Sequence, residues 1–137
     1  MPRSASVSEC MHRSPITISE HASIAEAVKV IVDNKLTGIT VTDNAGVVVG
    51  VLSEIDCLKA ILNSIYNDGD PDHRLVGEFM TRSLNTCSPE DSIVEVAQSM
   101  LETQQRRRPV LEDGKLVGQV SSGNVLWALM EYSRRKA

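Results

Sequence analysis

"GVLSEID", Gly50 to Asp56, and "GQVSSGN", Gly118 to Asn124, are one phrase written twice: a glycine, two more residues, a serine and then a carboxylate or its amide. Working outward from that pair, the register extends over most of the chain. A shift of 69 residues places Val7 on Val76, Met11 on Met80, Thr17 on Thr86, Ser23 on Ser92, Glu26 on Glu95 and Val41 on Val110. One residue is lost where "TDNAG" meets "LEDG", and the shift of 68 then carries Gly50 to Gly118, Ser53 to Ser121 and Leu58 to Leu126. A register held this far identifies an internal duplication, so the chain is two copies of one unit.

Each copy reads as strand, helix, strand, strand, helix. "SPITIS" and "SLNTCS" are short strands or extended entries. "SIAEAVKVIVDN" and "SIVEVAQSMLET" each open with Ser-x-x-Glu, the capping box of a helix start. Ile24, Ala27, Val28 and Ile31 recur at helical spacing, as do Ile93, Val96, Ala97, Met100 and Leu101, giving each helix a core face. "GITVTD" and "VVVGVLS" flank an Asp-Asn-Ala-Gly turn and predict a hairpin, repeated by "RPVLEDGKLVGQVS". The second helices have apolar faces at Ile55, Leu58, Ile61 and Leu62, and at Val125, Leu126 and Leu129. These readings place the repeats at 7–66 and 76–133, joined by a polar linker at 67–75. A copy this short buries too little core alone, so the two are expected to pack on each other.

The 137 residues are 42% hydrophobic but only 3% aromatic, a composition suited to closely packed layers of helix on sheet. A net charge of −4 argues against a nucleic-acid binder. Cys10, Cys57 and Cys87 are odd in number and lack ligand spacing, which predicts reduced thiols in a cytoplasmic protein. The N-terminus has no apolar segment of the kind a signal peptide needs, and no apolar run approaches a membrane span. No nucleophile with its base, metal-ligand cluster or glycine-rich phosphate loop stands out, so no enzyme, cofactor or metal is expected.

The duplicated unit resembles the cystathionine-β-synthase (CBS) domain pair, or Bateman module. The resemblance rests on "VSECMHRSPITIS" and "TGITVTDNAGVVVGVLSEID" in the first copy, and on "VGEFMTRSLNTCSPEDSIVEVAQSM" and "RRRPVLEDGKLVGQVS" in the second. It implies an α+β fold of two tandem β-α-β-β-α repeats, packed through their sheets with pseudo-two-fold symmetry. It also implies an intracellular sensor of an adenosyl ligand such as AMP, ADP, ATP or S-adenosylmethionine. In that family each cleft joins the Gly-h-h-(Ser/Thr)-x-x-Asp motif of one copy, where h is apolar, to the entry strand and pre-strand residues of the other. Carried over, one nucleotide cleft takes Ser53 and Asp56 with Leu84, Asn85, Thr86, Arg107, Arg108 and Pro109. The second, weaker cleft takes Ser121 and Asn124 with Ile16, Thr17, Ile18, Thr37, Gly38 and Ile39. Asn124 replaces the family's Asp, and Thr40 replaces the proline that Pro109 provides in the other copy; both departures fall in the second cleft.

Ser53-x-x-Asp56 is also a plain capping box, worth about 1 kcal/mol. Two features point past the cap. Asp is shorter than the Glu of the first helices and so less able to reach back to the cap amide, and a carboxylate at a helix start suits the two hydroxyl donors of a ribose. Asn124 keeps one acceptor without the charge, so unequal clefts are expected. In "QQRRRP" strand alternation turns Arg107 away from its neighbours, and a guanidinium from Arg107 or Arg108 matches phosphate oxygens. Ile18, Ile39, Val51 and Leu52 could wall an adenine but read first as strand core. Trp127 and Met130 suit a helix–helix or dimer surface. The resulting expectation is a regulatory, homodimeric ligand sensor. The alternative is an interaction module with vestigial clefts that docks on a partner enzyme or transporter without ligand.

Overall fold

The computed structural model describes residues 5–67, 69–82 and 85–136. They fall into two compact units, one within Ile16–Leu84 and the other formed by Met1–Pro15 together with Asn85–Ala137.

The Ile16–Leu84 unit opens with β1 (Thr17–Ser19), α1 (Ile24–Asp33), β2 (Gly38–Thr42) and β3 (Val48–Ser53), then α2 (Glu54–Tyr66) and the one-turn α3 (Val76–Phe79). β1 runs parallel to β2, pairing Thr17 with Thr40, and β2 pairs antiparallel with β3. A parallel neighbour needs a crossover, which α1 supplies. Asp43 closes the hairpin by accepting from the Ala45 and Val47 amides at 2.8 and 3.0 Å, while Gly46 takes the left-handed φ of 79° that the turn requires. The core joins Ile24, Ala27 and Ile31 of α1 to Ile18, Ile39, Val41 and Leu52 of the sheet. The predicted linker is fastened here: the Ile24 amide donates to Arg74 O and the Val76 amide to Ala22 O.

The other unit contains a 3-10 turn (Val7–Glu9), α4 (Ile93–Thr103), β4 (Arg107–Glu112), β5 (Lys115–Ser121) and α5 (Ser122–Lys136). The β4–β5 hairpin turns through Asp113 and Gly114, both at positive φ (53° and 78°), the two-residue turn matched to strand twist. Its entry strand shrinks to one residue, Cys87, bridged in parallel to Val110. On the far side His12 bridges Gln119. The start of the first sequence repeat therefore docks on the unit built by the second, and Thr81 of the second repeat bridges Val51 of the first.

Three expectations are corrected. First, α2 does not bury Ile55, Leu58 and Leu62, which are 58%, 59% and 48% exposed, but Cys57, Ala60 and Ser64. The buried face is made of small residues, Cys57 and Ala60 joining the core, and the larger ones point outward. Leu126 of α5 and Leu101 of α4 are likewise outward. Second, the two Ser-x-x-Glu starts are half boxes: Ser23 and Ser92 accept from the Glu26 and Glu95 amides, but no reciprocal glutamate bond forms. Third, Asp56 is not too short for the task; it completes the box that Glu does not.

Burial pushes the Cys57 thiol up to about 11, with the Asp56 and Glu54 carboxylates adding to the rise. Burial also takes Cys87 to about 11 against the pull of Arg108. Both thiols are held protonated in the folded chain near neutral pH. Among the described residues no helix is long and apolar enough to cross a membrane.

Candidate functional site

In the Ile16–Leu84 unit, β3 delivers its last residue, Ser53, directly into α2. Ser53 Oγ accepts from the Asp56 amide at 3.1 Å and Asp56 Oδ2 accepts from the Ser53 amide at 2.9 Å. The box holds the carboxylate half-buried at the helix start, where the backbone dipole favours negative charge. Oδ1 accepts no hydrogen bond among the described residues. One oxygen is thus fixed to the scaffold and the other is available.

The sheet register sets what lies beside this motif. Gly38 pairs with Ser53, Ile39 with Leu52, and the Glu54 amide donates to Thr37 O at 3.0 Å. Thr37, Ile16 and Thr17 are exposed, while Gly38 and Ile39 are buried. Ile18, Ile39 and Leu52 are core residues at 9%, 1% and 0% exposure, as their ordinary strand reading has it. Val51 is half-buried against the Thr81 bridge.

The other unit repeats the geometry with an amide in place of the acid. Ser121 Oγ accepts from the Asn124 amide at 3.1 Å, and Asn124 Oδ1 accepts from the Ser121 amide at 3.2 Å. Arg107 pairs with Ser121 across the sheet, Arg108 with Val120, and the Ser122 amide donates to Arg106 O. Asn85 and Thr86 are exposed; Leu84 lies outside the described residues.

The exposures of the three arginines do not simply alternate; burial increases along the run. Arg106 is exposed and Arg107 half-buried, its guanidinium pKa lowered by burial. Arg108, only 4% exposed, turns inward and donates to Ser99 Oγ and Gln105 Oε1. Pro109 is also buried. Ser99 and Gln105 went unnoticed in the sequence. Their signal was available in the repeat alignment, where Val30, Leu36 and Ile39 stand opposite Ser99, Gln105 and Arg108.

Comparison with known proteins places this geometry. The CBS domain profile matches residues 7–63 and again 76–131. CBS domain-containing protein CBSX1, chloroplastic, of Arabidopsis thaliana is 30% identical over 138 residues, covering 82% of this chain and 58% of that protein. The first curated relatives are longer, the chain spanning 40% to 59% of their length. Among solved structures, Arabidopsis CBSX2 in complex with AMP superposes with a TM-score of 0.80 at 30% identity, covering 93% of this chain and 98% of that one. The CBS domain pair of protein MJ0100, in complex with 5′-methylthioadenosine and S-adenosyl-L-methionine, superposes at 0.78 with 25% identity, covering 91% and 99%. With two matched repeats and the same α+β architecture, this chain belongs to the CBS domain family as a tandem CBS pair.

Proposed function

We propose that the chain is a regulatory, non-catalytic module that binds an adenosyl nucleotide between its two repeats. The observation that carries this reading is the Asp56 carboxylate, fixed through Oδ2 and with Oδ1 available at a helix start. Oδ1, with the remaining lone pair of Oδ2, suits the vicinal hydroxyls of a ribose. By the family resemblance Ser53, Leu84, Asn85, Thr86 and Pro109 are the residues assigned to frame the ligand, Leu84 lying outside the described residues, and Arg107 rather than the buried Arg108 is assigned as the phosphate clamp. The AMP complex of CBSX2 and the S-adenosylmethionine complex of MJ0100 support the ligand class. The site with Asn124, Ser121, Ile16, Thr17, Ile18, Thr37, Gly38 and Ile39 is the weaker of the two. A ligand that favours one conformation of the module shifts its population, and that shift is what a partner reads.

A melting screen with AMP, ADP, ATP, S-adenosylmethionine and NAD tests this. A ligand at 100 times its Kd adds about 2.7 kcal/mol of stability, which raises Tm by several degrees. No shift with any of them sinks the nucleotide reading.

A second reading, an interaction module, has its own observation. Leu58, Leu62, Ile65, Leu126, Trp127 and Met130 of α2 and α5 are 48% to 67% exposed, more apolar surface than a free monomer favours. The module is accordingly a homodimer through these helices. Leu58→Glu combined with Leu126→Glu is expected to halve the mass measured by light scattering. An unchanged mass, whether monomeric or dimeric, excludes these helices as the contact.

A further inference from the structure

Arg108 places a full positive charge inside the second repeat's unit, at 4% exposure. Its Nε and Nη2 donate to Gln105 Oε1 at 3.0 and 2.8 Å, and Nη2 also donates to Ser99 Oγ at 2.9 Å. Both partners are neutral, and among the described residues no carboxylate pairs with it. A buried cation on neutral partners carries a desolvation cost that well-packed apolar side chains avoid.

The first repeat shows the fold without that cost. Its matching positions hold Val30, Leu36 and Ile39, all packed in or against the core. Leu36 and Gln105 occupy the same backbone place. Each follows a left-handed residue, Lys35 or Gln104 at φ 54°, and donates its amide back to Ile31 O or Met100 O. That helix ending ordinarily carries an apolar side chain, as it does at Leu36. Three polar residues thus stand together where the first repeat has three apolar ones, and packing gives no reason for it.

The polar set leads somewhere. Gln105 Nε2 donates to Asn85 O at 3.4 Å, tying it to the entry segment. Two residues on, Cys87 is bonded to β4 through Pro109 O and the Leu111 amide. Arg107 is the chain neighbour of Arg108 and faces the other way along β4.

We propose that Ser99, Gln105 and Arg108 are a positioning device for the phosphate-binding edge, making it select phosphate-bearing adenosyl compounds over uncharged ones. Arg108 touches no ligand. It orients Gln105, which holds the Asn85 carbonyl, and its poorly screened charge adds positive potential beneath Arg107. This rests on the nucleotide reading above and narrows it to AMP, ADP or ATP.

The test grafts the first repeat's trio into the second: Ser99→Val, Gln105→Leu and Arg108→Ile together. The graft is expected to melt at or above the wild-type temperature. AMP affinity by calorimetry should fall roughly tenfold, and that for uncharged 5′-methylthioadenosine less than threefold. In the ligand-free protein, exchange of the Cys87 and Leu111 amides, which tie the entry segment to β4, should accelerate. An unchanged ratio of AMP to methylthioadenosine affinity overturns the proposal. If the graft does not fold, Gln105→Glu decides, because it keeps an acceptor for Arg108 but neutralises the charge and removes the donor to Asn85. A wild-type preference for AMP in that variant is again fatal to the device. Should wild-type protein bind no adenosyl compound, the nucleotide reading fails by itself, and unchanged exchange of the Cys87 and Leu111 amides in the graft disposes of the positioning role.

Discussion

Gly118→Val is expected to detach the N-terminal segment and lower the melting temperature by roughly 10 °C or more. A Cβ at Gly118 would lie 2.8 Å from Met11 Sδ and 2.9 Å from His12 O. The thioether can swing aside, but the carbonyl cannot, because it accepts from the Gln119 amide at 2.9 Å while the His12 amide donates to Gln119 O at 2.8 Å. Losing those two bonds costs about 1 kcal/mol each. The same segment carries Val7, at 0% exposure, whose release costs a further 1.5–3 kcal/mol or so. The sum is about 4 kcal/mol, and at a few degrees per kcal/mol it gives the stated shift. Gly123→Ala is the control. Its Cβ would meet only Ser121 Oγ at 3.8 Å, and alanine favours the helix, so Tm should hold or rise. Wild-type melting and wild-type amide protection of Val7 and Met11 in Gly118→Val would show that the glycine contact holds nothing in place.

The glycine that opens each repeated phrase thus has a role that its own stretch of sequence does not reveal. The partner is a segment over 100 residues away for Gly118 and about 30 for Gly50, whose Cβ would lie 2.8 Å from Thr81 O. What was legible is what local chemistry determines: the duplication, the β-branched hairpins, the Asp-rich turns and the serine caps. Long-range docking leaves no periodic mark, so the exchange between sequence repeats of the segments that precede the entry strands, Val7 to His12 and Val76 to Thr81, went unread. The α2 face was misread for a related reason. Periodicity selects large apolar residues, and here Leu58 and Leu62 lie outward while Cys57, Ala60 and Ser64 are buried. At the site, the sequence identified Ser53, Asp56 and their echo in Ser121 and Asn124 because a cap is a local motif. It could not tell Arg107 from Arg108 beyond their alternation, since the inward path of Arg108 depends on Ser99, nine residues away and on another element.

Asp56→Ala is expected to weaken AMP binding tenfold or more, and the structure itself supplies the variant that separates ligand contact from capping. Asp56→Ala removes both halves of the aspartate's work, so its loss of about 1 kcal/mol in helix capping accompanies any loss of affinity. Asp56→Asn does not have that ambiguity. Asn124 makes the same box with an amide oxygen, at 3.2 Å against 2.9 Å, so the cap survives the substitution. What disappears is the charge. A hydrogen bond to a charged acceptor contributes about 1.5–3 kcal/mol against about 1 for a neutral one, and an amide also presents a donor where the carboxylate offered an acceptor. Affinity should therefore fall several-fold to thirtyfold in Asp56→Asn while its melting temperature stays within a degree or two of wild type. The converse change, Asn124→Asp, should strengthen binding at the weaker site, visible in calorimetry as a larger fraction of chains taking a second ligand. If Asp56→Asn and Asp56→Ala both bind AMP as the wild type does, Asp56 is a helix cap and nothing more. The ribose must then be sought elsewhere.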